Sequence, residues 1–311
     1  MRSPTGQQFD LVHIGNARWN ATVTEVGAGL RTLSVNSVDI VEGFGIDEIP
    51  AMSAGKILLP WANRVHDGRW QLDGQEQQLA ITEPARGNAI HGFMRYTPHN
   101  PTARSADSVT LSAPLFPQPG YPFSLESSVT YRLDDEGLTV THAVTNVGTK
   151  PAPTAIGAHP YLKIDGVPTD DLVLTVDAKT HFAVDERMNA STRGPVTDLP
   201  HDLTRGVRIG DVTLDTCLGD VAMTNRQAQH RLNAPDGRFL TIWGDHCFRY
   251  VHVFTTDKLL PTGDTALAIE PMTAPVNALN TGEGLRWITP EQTWTAQWGI
   301  GADGFHTKHR G

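Results

Sequence analysis

The sequence offers few of the motifs by which a catalytic or binding protein is usually recognised. Among 311 residues there are two cysteines, Cys217 and Cys247, with no CxxC pair, so no disulfide framework is implied. Both thiols are expected to be buried small hydrophobes. There is no basic run: 25 Lys+Arg stand against 34 Asp+Glu, for a net charge of −9. That argues against a nucleic-acid partner and leaves a mildly acidic surface that favours solubility. Charged residues reach 19 %, below the usual quarter. No apolar core follows Met1 as in a signal peptide, and no uninterrupted apolar stretch approaches membrane-spanning length. The expectation is therefore a soluble, cytoplasmic protein with no membrane partner. HExxH, GxSxG, GxGxxG and the P-loop are all missing. The histidines (among them His66, His99, His142, His181, His201 and His230) are scattered, and none pairs with another at a metal-ligand spacing. No metal and no cofactor are expected. Asp245-His246 with His252 is the one combination that could contact a metal, and surface or core polar roles suit those residues better.

Helical periodicity is also scarce: no amphipathic helix longer than about three turns emerges. Short strand patterns fill the chain instead. Phe9–Ile14, Asn20–Val26 and Leu30–Val35 alternate, with Gly27-Ala-Gly29 turning the chain between the last two. Asp73-Gly74 is a favoured two-residue hairpin turn between Gly68–Leu72 and Gln75–Ala80. Ser108–Ser112 and 123–133 follow, and Asp134-Asp-Glu-Gly137 turns the chain into Leu138–Thr145. Leu172–Val176, His181–Val184, Gln229–Leu232 and Arg238–Trp243 continue the series. Arg249-Tyr-Val-His-Val-Phe254 is the plainest alternation of all. Ala266–Glu270 and Trp294–Ile300 are the last strands. Residues 185–212 read as loop, and the polar stretch 301–311 reads as a frayed tail. With no internal repeat and no low-complexity linker, the chain is taken as one domain over 1–311, its core from about 10 to 300. The fold class is all-β: many short strands with Gly and Pro turns mean an antiparallel β-sandwich.

Four stretches place isolated polar groups in apolar company. They are Trp61-Ala-Asn63-Arg64, Ile90-His91-Gly-Phe93, Gly157-Ala-His159-Pro-Tyr161 and Ile269-Glu270-Pro-Met-Thr-Ala-Pro-Val-Asn277. Pro160 holds His159 in an extended conformation, so the imidazole sits on a stiff piece of chain. Such a histidine trades protons near neutral pH; a core histidine with satisfied hydrogen bonds is the alternative. Glu270, between Ile269 and Pro271 at the end of an apolar strand, is badly placed for a solvated surface charge. A carboxylate half out of water, paired with a histidine, is a usual pair for acid–base work. Asp215, in Thr213-Leu-Asp-Thr-Cys217, follows the strand period and fits a strand-end surface residue equally well.

These stretches, in this order, resemble the aldose 1-epimerases (galactose mutarotase-like), and a bacterial branch of that family above all. The matching segments are Leu59-Pro-Trp-Ala-Asn-Arg64, His91-Gly92, Gly157-Ala-His-Pro-Tyr161, Asp215, and Glu270-Pro-Met-Thr-Ala-Pro-Val-Asn277 with Gly282-Glu-Gly284. The resemblance spans about residues 10 to 300. It implies a large twisted antiparallel β-sandwich, the mutarotase-like supersandwich, with a sugar cleft on one concave face. It also implies interconversion of the α and β anomers of a free sugar by ring opening and closure, without a cofactor. By resemblance Glu270 is the base that takes the C1 hydroxyl proton, and His159 is the acid at the ring oxygen. A nearby carboxylate is expected to favour the protonated His159. His91 contacts the substrate near the ring oxygen, and Arg64 and Asp215 hold hydroxyls. Asn63, Trp61, Phe93 and Tyr161 complete the expected site, the aromatics offering apolar faces to the ring or else filling the core.

After His91-Gly92 the chain lacks the longer Gly-rich segment of the galactose-type branch, and it closes with a different motif, so galactose is not implied. Arg95 is either a surface arginine or a reader of an anionic sugar, such as a sulfonated or phosphorylated hexose. The expected partner is a small monosaccharide, and the expected assembly a monomer or homodimer. The rival readings are a glycoside hydrolase or other sugar-modifying enzyme, with Glu270 and Asp215 as its two carboxylates, and a non-catalytic carbohydrate-binding protein.

Overall fold

The computed structural model describes residues 3–306. Its strands follow the period-2 pattern wherever the sequence shows one. In Tyr250–Thr256 the side chains of Val251 and Val253 enter the main core, while Tyr250, His252 and Phe254 leave by the opposite face. Successive side chains in a strand must do this, because the pleat points alternate Cβ atoms to opposite sides. Leu125–Asp134 and Gly137–Asn146 form a ten-pair hairpin closed at Asp134 and Gly137.

Two large sheets carry the fold. The first has ten strands, with Gly137–Asn146, Thr293–Asp303, Phe239–Asp245 and Gln227–Asn233 side by side in its middle. The second has eight strands, centred on Asp215–Gly219, Tyr250–Thr256 and Ala266–Met272. A four-stranded sheet from Gln8 to Asp39 leads in. Every ladder between named strands is antiparallel, and the isolated contact between Leu59 and Gly92 is parallel. Val140, Ile242 and Trp298 from the first sheet share one apolar core with Val251, Val253, Leu267 and Ile269 from the second. This is the large antiparallel β-sandwich: two sheets bury their inner faces against each other because neither can hide its apolar side alone.

Strand ends shift by a few residues from the sequence pattern in several places, and three differences are larger or bear on the polar residues. Residues 185–212 are not all loop, since Ala190–Pro195 pairs with Thr180–Val184 at the edge of the second sheet. Its Gly194 and Pro195 hide the strand in the sequence, and an edge is where a ladder tolerates them. The strand expected to end at Glu270 continues to Met272, because Pro271 and Met272 still face Val251 and Tyr250 in register. The last strand runs to Asp303, three residues into the expected tail, held by pairing from Gly301↔Thr241 to Asp303↔Phe239. The rest of that tail, from residue 307, lies outside the described residues. The α-helix Ala278–Thr281 is four residues long, and no helix of the described residues is long and apolar enough to cross a membrane.

The outer face of the second sheet gathers several of the polar residues singled out in the sequence. Register sets Glu270 opposite His252, and His252 opposite Cys217. Directly opposed residues project to the same side with Cβ atoms about 5 Å apart. Asp215, two residues before Cys217, therefore shares that face. The turn His91-Gly92-Phe93 is fastened to it from the side. Phe93 and Met94 both donate their N–H groups to Leu59 O, at 2.8 and 3.3 Å. Gly92 has φ +66, and a Cβ there would stand 2.0 Å from Leu59 O. Gly92→Ala should therefore destabilise the protein by more than about 2 kcal/mol, combining left-handed strain with a backbone clash. Urea denaturation measures this, and a midpoint within error of the parent protein would show that the turn can move aside.

Candidate active site

A cavity of about 670 Å³ opens on that outer face, and His91, His159 and Glu270 meet in its wall. Glu270 is 2 % exposed and His159 4 %. His159 Nε2 lies 3.4 Å from Glu270 Oε1. His159 Nδ1, Glu270 Oε2 and the Tyr161 hydroxyl are buried with no hydrogen-bond partner among the described residues. Native interiors leave few buried polar atoms unpaired. Three such atoms on one cavity wall form a set of unmet donors and acceptors. Burial pulls the His159 pKa below its ordinary value. The Glu270 charge pushes it upward without prevailing, and His252 and Arg95 add to the downward pull. The neighbouring carboxylate favours the protonated His159, as expected, but dehydration of the imidazolium outweighs it and the net shift is downward.

His91 sits at φ +64, a conformation that a side-chain-bearing residue adopts only when its surroundings impose it. Its backbone N–H donates to Asn63 O at 3.0 Å, and Asn63 N–H donates back to His91 Nδ1 at 3.2 Å. That second bond fixes the tautomer. With Nδ1 accepting, the ring proton lies on Nε2. Burial holds the His91 pKa well down, and His159, Arg95, Arg64 and His252 push it the same way. His91 is therefore a neutral N–H donor. Its ring meets that of His159 edge-on, with centroids 5.3 Å apart. Asn63, at φ +56, is the hinge that ties Trp61–Arg64 to the His91 turn.

A second charged layer borders the first. His252 Nε2 donates to Asp215 Oδ1 at 2.9 Å. Burial opposes the charged imidazole, but the hydrogen bonds to Asp215 and Cys217 and the charges of Glu270 and Asp215 carry its pKa up to about 10. Asn63 Nδ2, 3.2 Å from His252 Nδ1, favours a neutral ring. A full carboxylate charge in direct contact outweighs one amide dipole. Burial alone raises the Asp215 pKa, yet the hydrogen bond and charge of His252, with Arg64, hold it below the usual value. Arg64 grips Glu83 through Nε and Nη2, at 2.9 and 3.0 Å, and its Nη1 stands 3.8 Å from Asp215.

Most of the residues singled out in the sequence meet here. Asn63, Arg64, His91, His159, Tyr161, Asp215 and Glu270 all line the cavity. Trp61 does not. It is 2 % exposed in the main core, its ring 4.9 Å from Phe93 and nearly perpendicular to it. Both Trp61 and Phe93 support the cavity from behind, so their expected faces toward a ligand are corrected to packing. Arg95 is in the wall and 8 % exposed, so it is not a surface arginine. His252 was grouped in sequence with Asp245 and His246, but its ring engages Asp215. Asp245, His246 and Cys247 converge on one another elsewhere. Glu83 and Ser53 are lining residues with no signal in the sequence.

The donor atoms of His91, His159 and Glu270 lie within 4.8 Å of one another, a set that no sequence spacing announced. Two imidazoles and a carboxylate match catalytic zinc ligands in type. Arg64, Arg95 and the cationic His252 stand close enough to depress the His91 pKa, and that positive field opposes a dication. The set suits proton transfer better.

Residues 10–300 match the aldose 1-epimerase family, and the chain belongs to that family. It is 35 % identical over 276 residues to YihR of Escherichia coli K12, covering 87 % of this chain and 86 % of that one. It is 26 % identical over 215 residues to human galactose mutarotase, 65 % of this chain and 60 % of that one. Among solved structures, a GalM/aldose epimerase homologue from Caenorhabditis elegans superposes with a TM-score of 0.82 at 21 % identity, covering 96 % and 99 % of the two chains. At that identity the likeness shows a shared fold. Family membership supports a carbohydrate isomerase.

The His252–Asp215 pair should leave its mark on stability against pH. A histidine with a raised pKa contributes stability that is complete below about 6.5, its ordinary value. That contribution is lost as pH climbs through about 10. Denaturant midpoints measured from pH 6 to 10.5 should therefore fall with pH, and Asp215→Asn should flatten the fall. A parent curve no steeper than that of Asp215→Asn would remove the pair from the account.

Proposed function

We propose that this protein is an aldose 1-epimerase, a mutarotase that opens and recloses the ring of a free aldohexose or related sugar. The observation that carries the reading is the buried Glu270–His159 pair, each member with an unpartnered polar atom in one cavity wall. Ring opening needs a base for the C1 hydroxyl proton and a donor for the ring oxygen, and these two groups are within reach of one small molecule. Glu270 takes the proton, and His159 in its imidazolium form delivers one to the ring oxygen. The freed carbonyl turns, and the same groups reverse their roles on closure. The neutral His91 donates its Nε2–H toward the ring oxygen without competing for the proton. Arg64, with Asp215 and Asn63, holds hydroxyls, and Tyr161 offers its hydroxyl beside Glu270. No cofactor enters this scheme. The partner is a small monosaccharide, and a cytoplasmic setting is compatible with the free thiols of Cys217 and Cys247.

A glycoside hydrolase needs one of its two carboxyls protonated as the acid. Asp215, held below the usual range by His252 and Arg64, is unsuited to that role. A binding module has no use for a carboxylate and an imidazole buried side by side, which dehydration makes unfavourable unless they do work.

Anomer exchange by proton NMR tests the proposal. The parent protein should accelerate α/β exchange of at least one aldose. His159→Ala and Glu270→Gln should each lower turnover by about 10²- to 10⁴-fold with unchanged circular dichroism. Because the free His159 has a depressed pKa, the alkaline limb of kcat/KM should fall below about pH 6.5. Near-parent activity in either variant, or an alkaline limb well above neutrality, would count against these roles.

A further inference from the structure

The turn that carries the chain from the first sheet to the second gathers metal-binding groups that the proposed reaction does not use. Phe239–Asp245 belongs to the first sheet and Tyr250–Thr256 to the second. Between them Asp245, His246 and Cys247 follow one another, and one donor atom from each lies within 4.8 Å of the other two. Sequence spacing grouped Asp245 and His246 with His252. In the fold Cys247 takes that third place, because His252 reaches Asp215 instead. His246 is exposed, and Asp245 and Cys247 are half-buried.

The turn is held from several sides. Phe248 is 1 % exposed in the main core, and its N–H donates to Asp245 O at 2.9 Å. Gly244 lets the chain fold this tightly, since a Cβ there would stand 2.5 Å from Phe248 Cβ. The Asp245 carboxylate accepts Cys247 N–H at Oδ1 and Gln297 N–H at Oδ2, both at 2.9 Å. Each oxygen keeps a further lone pair. Burial and the Asp245 carboxylate raise the Cys247 pKa and keep its proton on, against the Trp294 side chain and the Arg286 charge. Thr295 O lies 4.0 Å from the sulfur, and His246 Nε2 lies 3.9 Å from it. In a tetrahedral site with metal–sulfur and metal–nitrogen bonds of about 2.3 and 2.0 Å, those last two atoms stand about 3.5 Å apart. A small rotation of the exposed imidazole closes the difference.

We propose that Asp245, His246 and Cys247 form a binding site for a thiophilic transition-metal ion of the zinc class. The donors are a carboxylate oxygen, an imidazole nitrogen and a thiolate. Hard cations such as magnesium and calcium take oxygen ligands and do not select such a set. Binding exchanges one metal ion for the thiol proton, which leaves to solvent, and no electron is transferred. Thiolate and carboxylate then cancel the charge of a dication. At His91, His159 and Glu270, by contrast, a single carboxylate is set against Arg64, Arg95 and the cationic His252. Three protein ligands leave a fourth position, on the solvent side, for water. The ion ties the end of a first-sheet strand to the lead-in of a central strand of the second sheet. The site does not rest on the mutarotase reading.

Titration of the full chain with cobalt(II), with the thiols kept reduced by a phosphine under nitrogen, tests the site. A thiolate bound to cobalt gives a near-ultraviolet charge-transfer band that nitrogen and oxygen ligands do not give. One equivalent of cobalt should bring up the band, and zinc, which the same donors bind more tightly, should remove it. Cys247→Ser should abolish the band. Cys217→Ser and Glu270→Gln should leave it, which sets the site apart from the other thiol and from the cavity. His246→Gln should weaken cobalt binding by more than about 100-fold, since even changes outside the ligands themselves cost about 10- to 100-fold. No band at millimolar cobalt, a band that survives Cys247→Ser, or an affinity indifferent to His246→Gln would overturn the proposal. If Cys247→Ser fails to fold, His246→Gln, a change at an exposed side chain, decides alone.

Discussion

A carboxylate and an imidazole are held out of water against each other, and much of the site exists to make that tolerable. Glu270 and His159 are almost fully buried, where isolated charges are strongly disfavoured. Three features make the placement possible. Two antiparallel strands set Glu270 beside His252, whose positive charge offsets that of the carboxylate. His159 is carried in on a rigid Ala-His-Pro segment whose backbone is bonded on both sides: His159 N–H donates to Lys56 O, and Gly55 N–H donates to His159 O. His91, locked neutral by Asn63, covers the pair without adding charge. The sandwich core behind the sheet supplies the stiffness, since an interior packed at crystal-like density does not let these groups drift apart.

Charge is distributed in two layers. The inner one, Glu270 with His159 and His91, has lowered imidazole pKa values and unmet polar atoms. The bordering one, His252–Asp215 and Arg64–Glu83, has its ionic groups matched in contact. Paired groups position, and unpaired groups remain free to react or bind. Pairs of titratable residues whose surroundings drive their pKa values apart are a mark of functional sites. His159 and His252, both buried and both near Glu270, are displaced in opposite directions because only His252 has a carboxylate in hydrogen-bond contact that is itself fixed by an arginine. Arg95, in the same wall, has the Ser53 hydroxyl as its side-chain hydrogen-bond partner and no carboxylate in contact among the described residues.

Some of the protein's strained backbone lies at the same place. Met52, Ser53, Asn63 and His91 all have positive φ and all line the cavity. Loops on a rigid sheet edge can carry such strain because the packed core and the ladder hold them in place. None of the four is glycine, and only Asn63 and His91 are of types that adopt this conformation more readily than most. Only at Gly92 is the requirement visible in the residue itself.

The sequence by itself determined the strands, because period-2 burial is written residue by residue in stretches such as Arg249–Phe254. It also determined which polar residues were out of place. A glutamate between Ile269 and Pro271 and a histidine before Pro160 are anomalies that need no coordinates to notice, and the ordered motifs around them pointed to the family. Tertiary structure decided everything that depends on distance between strands far apart in the chain. It moved Trp61 from the site to the core, drew His252 away from Asp245 and His246 to Asp215, and found Glu83 waiting for Arg64. It set the direction of the His159 shift, since burial is a property of the assembled fold and outweighed the neighbouring charge that the sequence suggested. It also took Arg95 from the surface, where arginines are common, to a wall where a lone guanidinium is conspicuous. Composition and pattern report what each residue prefers. Register and packing decide which preferences are satisfied, and in this protein the unsatisfied ones are gathered in one cavity.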